Sequence, residues 1–378
     1  MNGIEKIKDT QICALSSFGH NGLDWIHSLI DNHPEVLIMP AFSFYRTLDL
    51  FELKHGYRVE NFGSIEKNLE DLSNFFYYDK YFKTVRRRFL EDEHHFSDFK
   101  HNLLFFIQNS KIYNNTKNIF LGIHYAFSKI YKIDFEEKKV IIFQEHIPWH
   151  SAQIREDLNA KFIFMMRDPR AGLAGAWKRT GENRGLVSQY PLEFDKTILW
   201  GTYSSHFCLS GSFEREISED VKIMVNEDMH IDLEYQMRNL CDWLSIKYCD
   251  SCLDQTFLGI EWLGESTYLA ADELSERPPE DFYDIKNVER RWRSRLSSSD
   301  ISMIEVIFSK IFRRFSYKTD TRFSFIKYFS AMARFMFIYI SNEPIRDKLH
   351  FLRISRNLLR RIFVIFFPSL AAKFFKII

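Results

Sequence analysis

The chain has 378 residues, 46% hydrophobic and 16% aromatic, which suffices for a large buried core and excludes a disordered protein. Its 51 basic and 51 acidic residues cancel, and no nucleic-acid partner is expected, but the charge is uneven: residues 318–378 carry 12 Lys/Arg against 3 Asp/Glu. Five cysteines form no disulfide framework, and the odd count together with the opening "MNGIEKIKDTQ", which has no signal-peptide pattern, points to a reducing cytoplasm.

The first element is the short apolar run "QICAL", read as a buried strand that ends at Ser16 and Ser17. A loop with Gly19 and Gly22 follows. Leu23, Ile26, Leu29 and Ile30 then recur at helical spacing until Asn32, His33 and Pro34 stop the helix. Strand, glycine loop and helix in succession aim free backbone N–H groups and the positive end of a helix dipole at one point, which suits a phosphate or sulfate. The alternative is a tight turn whose glycines only permit positive φ. A Walker A loop is excluded, because G-x-x-x-x-G followed by Lys-Ser/Thr is absent.

Residues 41–115 are helix-like and crowded with aromatics ("FSFYR", "NFFYYDKYF", "NLLFFIQ"), as in a core or the wall of a substrate cleft. The runs "KVIIF" (139–143), "AKFIFMM" (160–166) and "VKIMV" (221–225) are continuously apolar, as parallel strands covered on both faces should be. Helical patterns separate them, so an α/β class is expected, a central parallel sheet flanked by helices with ligands at the carboxyl ends of its strands. Each run ends in polar residues: Gln144, Glu145 and His146; Arg167, Asp168 and Arg170; Asn226, Glu227 and Asp228. A histidine so placed serves as a general base or as a structural hydrogen bonder, and an arginine holds a phosphate or pairs with a neighbour such as Asp168. Cys249 and Cys252 make one C-x-x-C without a second ligand pair, and no metal is expected. The segment after Tyr317 interleaves Lys and Arg with aromatic and aliphatic stretches too short to span a bilayer. It reads as a basic amphipathic helical extension that lies on anionic lipid, or as a helical pair packed on the domain or on another subunit, which leaves oligomerisation open.

The ordered set "FGHNGLDW", "LIDNHPEV", "HIP", "FIFMMRDPRAGLAGAW", "NEDM", "CDWLSIKY" and "TFLGIEWLGES" resembles the sulfotransferases that use 3′-phosphoadenosine 5′-phosphosulfate, over residues 10–317. The resemblance implies a P-loop-like sulfotransferase fold over residues 1–317, with 41–115 as a substrate-side insertion. It also implies that Gly19, His20, Asn21, Gly22, Leu23 and Asp24 cradle the 5′-phosphosulfate. Trp25 would pack near the adenine, Arg167 bind the 3′-phosphate and His146 take the acceptor proton. No metal is required if the protein supplies the positive charge.

The chain departs from that family at several positions. His20 stands where Lys or Arg is usual, as a conditional cation that would stabilise the leaving phosphate. Leu23 and Asp24 replace a hydroxyl pair, and a carboxylate 4 Å from an anion costs about 1 kcal/mol in water and about 4 at an effective dielectric near 20. Asp24 could instead be a first-turn acid turned away from the ligand. Gly175 replaces a serine, with Arg290, Arg291 and Arg293 as compensating donors or as a solvated helix face. The expected function is sulfuryl transfer to a hydroxyl of a glycan or glycolipid by a bacterial protein, cytoplasmic or peripheral at the inner face of the membrane. The alternatives are a catalytically degenerate sulfotransferase fold that binds a nucleotide or partner at a membrane, and a P-loop-type kinase.

Overall fold

The computed structural model describes residues 3–17, 21–39, 43–55, 71, 95–110, 115–135, 137–145, 150–180, 219–262, 284–288 and 290–320, together with 324, 326, 329, 330 and 333. Five parallel strands form the centre: β1 (Gln11–Ser16), β2 (Val36–Ile38), β3 (Val140–Glu145), β4 (Lys161–Met166) and β5 (Val221–Val225). Their order in the sheet is β2-β3-β1-β4-β5. A small antiparallel pair, β6 (Thr256–Phe257) and β7 (Ile260–Glu261), lies apart from it.

The helices are α1 (Gly3–Lys8), α2 (Leu23–Ile30), α3 (Phe44–His55), α4 (His95–Asn109), α5 (Asn115–Ile130), α6 (Ser151–Leu158), α7 (Pro169–Thr180), α8 (Asn226–Ile231), α9 (Leu233–Leu244), α10 (Ile285–Val288), α11 (Ser298–Ile307) and α12 (Ser309–Arg314). They cover both faces, as continuously apolar strands require. Alternate residues of each strand point to opposite sides, so Ile12, Ala14, Ile141 and Phe143 join a core with α1, α3, α4 and α5, while Cys13, Leu15, Val140 and Ile142 join another with α2 and α9. Farther along β4, Phe164 and Met166 pack beneath α7, α11 and α12.

All four strands read from the sequence are present, with shifts of a residue or two at their ends. The edge strand β2 was not foreseen. Its three residues are too few for a periodic signal, and it exists because Val36–Ile38 pair alongside Val140–Ile142. Within the aromatic segment 41–115 the described residues are helical at 44–55, 71, 95–109 and 115, and most of the rest of the segment falls outside the described residues. Among the described residues, no helix is long and apolar enough to cross a membrane.

Candidate active site

In the order β2-β3-β1-β4-β5 the chain leaves β1 toward one side of the sheet for β2 and β3, then crosses to the other side for β4 and β5. The crossovers diverge at the carboxyl end of β1, where open parallel sheets receive their ligands. The loop after β1 opens α2 at that point.

Gly22 is the residue before α2, and its φ of 91° and ψ of 23° place it in the left-handed region. A side chain is excluded twice over. Positive φ disfavours any Cβ, and a Cβ built at Gly22 would lie 2.4 Å from Asn226 Nδ2, a side chain at the end of β5. Glycine therefore lets the start of α2 press against the β5 end. No side chain caps α2. Apart from Ile26 N–H, which donates to the Gly22 carbonyl at 3.1 Å, the first-turn N–H groups have no acceptor within the helix.

Asn21 is fully buried, and its Nδ2 donates to the Met165 carbonyl of β4 at 3.4 Å. Among the described residues its Oδ1 has no hydrogen-bond partner, and neither does Oδ1 of the buried Asn226. Gly172 on α7 makes room for Asn21, since a Cβ there would sit 2.7 Å from Asn21 Oδ1. Among the described residues, the mouth of β1 thus combines a helix start that no side chain caps with two buried carboxamide oxygens of unmet capacity.

Asp24 turns toward β3. Its Oδ1 accepts from Gln144 Nε2 at 3.3 Å, and the same amide nitrogen meets His27 Nδ1 at 2.9 Å. Leu23 is buried in the apolar core. Trp25 stacks on His230 of α8, with ring centroids 4.3 Å apart. Gly19, His20 and His146 lie outside the described residues.

The end of β4 is built by "RDPR". Asp168 and Pro169 form a helix start: the Asp168 carboxylate accepts from Arg170 N–H at 2.8 Å, and proline fills the first helical position, where its missing N–H costs nothing. Asp168 is the partner of Arg170, whose Nη2 reaches Asp168 Oδ2 at 2.6 Å while Nη1 reaches Glu305 Oε1 at 2.6 Å. Arg170 also stacks on Trp292, 4.2 Å from its ring centre, and donates to the Lys318 carbonyl at 2.9 Å. Arg170 is therefore a structural bolt that joins β4 to α11 and the residues after α12.

Arg167 is set among Glu227, Asp168, Tyr317 and Arg295. Burial lowers its pKa and the neighbouring acids offset that effect; a guanidinium stays charged throughout. Burial pushes the Glu227 carboxyl up, while the Asp168 N–H, which it accepts at 3.0 Å, and the charge of Arg167 pull it back. Tyr317 O–H donates to the other Glu227 oxygen at 3.0 Å. Arg295 is close enough to oppose Arg167 by like-charge repulsion, and its Nη1 reaches the Ala174 carbonyl at 3.5 Å, beside the half-buried Gly175.

The arginine expectation changes accordingly. Arg293 is an ion-pair partner of Asp320 and half exposed, Arg290 is exposed, and the Arg291 side chain lies outside what the structure describes; Arg295, not singled out from the sequence, is the described arginine of this segment that lies near Arg167. All four belong to "ERRWRSRL".

At the end of β3 a histidine unforeseen from the sequence is fixed between two carboxylates. His150 Nε2 meets Asp49 Oδ2 at 2.9 Å, and its Nδ1 lies 3.4 Å from Glu145 Oε1. Burial opposes its charge, but the hydrogen bonds and charges of Asp49 and Glu145 prevail and raise its pKa to about 9. His150 is thus protonated at neutral pH and unsuited to accept a proton.

No family model matches the chain, and no curated protein matches it. Solved structures that align with it include three sulfotransferases. The sulfotransferase domain of the Synechococcus PCC 7002 olefin synthase is 12% identical over 82% of this chain and 96% of that chain, with a TM-score of 0.45. The sulfotransferase domain from the curacin biosynthetic pathway is 13% identical over 82% and 98%, at 0.46. A sulfotransferase from Mycobacterium avium is 12% identical over 83% and 79%, at 0.39.

Proposed function

We propose that this protein transfers a sulfuryl group from 3′-phosphoadenosine 5′-phosphosulfate to a hydroxyl acceptor. The observation that carries the reading is the pairing, on adjacent strand ends at the switch point, of the α2 start, which no side chain caps among the described residues, with the half-buried Arg167 and its neighbour Arg295. Guanidinium groups suit a phosphate dianion, which they can hold by paired charge-assisted hydrogen bonds. The first-turn N–H groups of α2 suit the phosphosulfate. The buried oxygens of Asn21 and Asn226 suit hydroxyl or amino donors of a nucleoside.

The donor supplies an activated sulfur whose bond to the bridging phosphate oxygen breaks as the acceptor oxygen bonds to it. The protein's part is positioning and charge. The α2 start and Gly22 hold the anionic end, Arg167 and Arg295 hold the 3′-phosphate, and a neutral base takes the acceptor proton. His150 is already charged, so that role falls to His146, as the sequence resemblance implies. We assign the acceptor to glycans or glycolipids, because the aromatic 41–115 segment could stack on sugars and the basic extension could lie on anionic lipid. The exposed Ile326 and Phe329 in that extension support lipid contact.

The competing reading, a degenerate fold that binds without transferring, draws on Asp24 in the loop. The hydrogen bond from Gln144 weakens it, because the carboxylate is directed to β3. Calorimetric titration with 3′-phosphoadenosine 5′-phosphate, with ATP as control, tests the proposal. Selective binding of the former is expected, and no binding at millimolar concentration would overturn it. Binding without turnover over a panel of sugar hydroxyl acceptors would favour the degenerate form.

A further inference from the structure

The opposite end of α2 carries a cluster that the proposed transfer does not use. Cys241 in the last turn of α9, Cys252 in the 3₁₀ turn Asp250–Leu253 and His33 in the turn between α2 and β2 are all buried, and one donor atom from each lies within 4.8 Å of the others. We propose that these residues form a zinc site, with Cys249, the other cysteine of the C-x-x-C, as the fourth ligand.

The geometry fits the ion. Two thiolates at about 2.3 Å from a tetrahedral zinc stand about 3.8 Å apart. The Cys241 and Cys252 sulfurs are 3.9 Å apart. A disulfide requires about 2.05 Å, so the two free thiols, in S–H···S contact, already stand at the separation a bridging ion would hold. His33 holds backbone partners on both ring nitrogens, Nε2 facing the Lys247 carbonyl at 2.9 Å and Nδ1 accepting from the Glu35 N–H at 3.1 Å, so coordination would exchange one of these bonds for the metal. Cys249 meets Ser251 Oγ at 3.0 Å and neighbours Cys252. Soft thiolates with one imidazole select zinc over hard cations.

The ion would be structural, with no open position and no part in transfer. Helix α2 has eight residues, so about 12 Å separates its two ends. Its amino end opens the candidate active site, and its carboxyl end is tied to residues 247–259 through Asp31, which accepts from Thr256 Oγ1 and Gly259 N–H, each at 3.0 Å. Zinc would add a second tie at the same end and so hold the helix that presents the anion-binding N–H groups.

The full chain, purified from zinc-supplemented cells under reducing conditions, should contain one zinc per chain by mass spectrometry, and chelation should lower its Tm. Cobalt(II) added to the chelated protein should give thiolate-to-metal charge-transfer bands in the near ultraviolet and intense tetrahedral bands in the red. Cys241→Ser and Cys252→Ser should abolish them, Cys249→Ser should weaken them, and Cys13→Ala should leave them intact. The wild-type measurements need no variant to fold. Absence of both zinc and charge-transfer bands in the wild type would overturn the proposal. So would bands that survive Cys241→Ser and Cys252→Ser, or a Cys241–Cys252 disulfide found by peptide mapping of the freshly isolated protein.

Discussion

Gly22 meets two constraints at once, a left-handed backbone and a neighbour 2.4 Å from where a Cβ would stand. Gly22→Ala is expected to cost more than about 1 kcal/mol of stability, and by displacing Asn226 to impair nucleotide binding as well. Thermal unfolding and calorimetry on one variant measure both. Arg167→Ala should weaken binding of 3′-phosphoadenosine 5′-phosphate by about 1.5–3 kcal/mol, the range for hydrogen bonds to charged groups. It should barely affect adenosine 5′-phosphosulfate, which lacks the 3′-phosphate; equal losses for both ligands would take Arg167 out of that role. His150 gives a pH signature. Its pKa rises from 6.5 to about 9 on folding, so its stabilisation is complete below pH 6.5 and is lost as pH climbs through about 9. Tm should fall across that window, by the equivalent of about 1–2 kcal/mol once solvent screening of the exposed Asp49 is allowed for, and His150→Gln should flatten the profile. At this scale the sequence disclosed residue types more readily than residue directions. The family resemblance singled out Arg167 as the anion binder, but nothing in the sequence showed that Arg170, three positions on, is committed to Asp168 and Glu305. Asp24 was open between facing the anion and facing away until Gln144 supplied its partner.

Elements were the more legible scale. Continuous apolar runs announced β1, β3, β4 and β5 because a strand covered on both faces has no polar side to interrupt it. The edge strand β2 escaped because its pairing with β3 depends on residues more than a hundred positions away, which no local pattern can encode. The junction between β4 and α7 has its own test. Arg170→Met would leave Asp168 and Glu305 buried without their common cation, and the expected loss is about 3–5 kcal/mol, read by chemical unfolding. Arg170→Lys should recover little of it, because one ammonium cannot serve both carboxylates, the Lys318 carbonyl and the Trp292 ring together. At α11, Ser297 and Asp300 form a reciprocal capping box, and Ser297→Ala should cost about 0.5–2 kcal/mol.

For the whole molecule, the boundary after Tyr317 read from the sequence falls in a segment that the fold uses on both sides. Tyr317 donates to Glu227, the Lys318 carbonyl accepts from Arg170, and Asp320 N–H donates to Glu305 Oε1 at 2.7 Å. Composition could locate the change from balanced to basic charge, but the hydrogen bonds of Tyr317, Lys318 and Asp320 to residues distant in the chain leave no compositional trace. A chain cut after Asp320 should therefore be more stable than one cut after Ser316 by about 2 kcal/mol or more, since the shorter one strands Glu227 and Arg170. The clasp also means that the basic extension sets out from residues that touch the neighbours of Arg167. A load placed on that extension would be transmitted first to Glu227 and Arg170, beside the proposed seat of the 3′-phosphate.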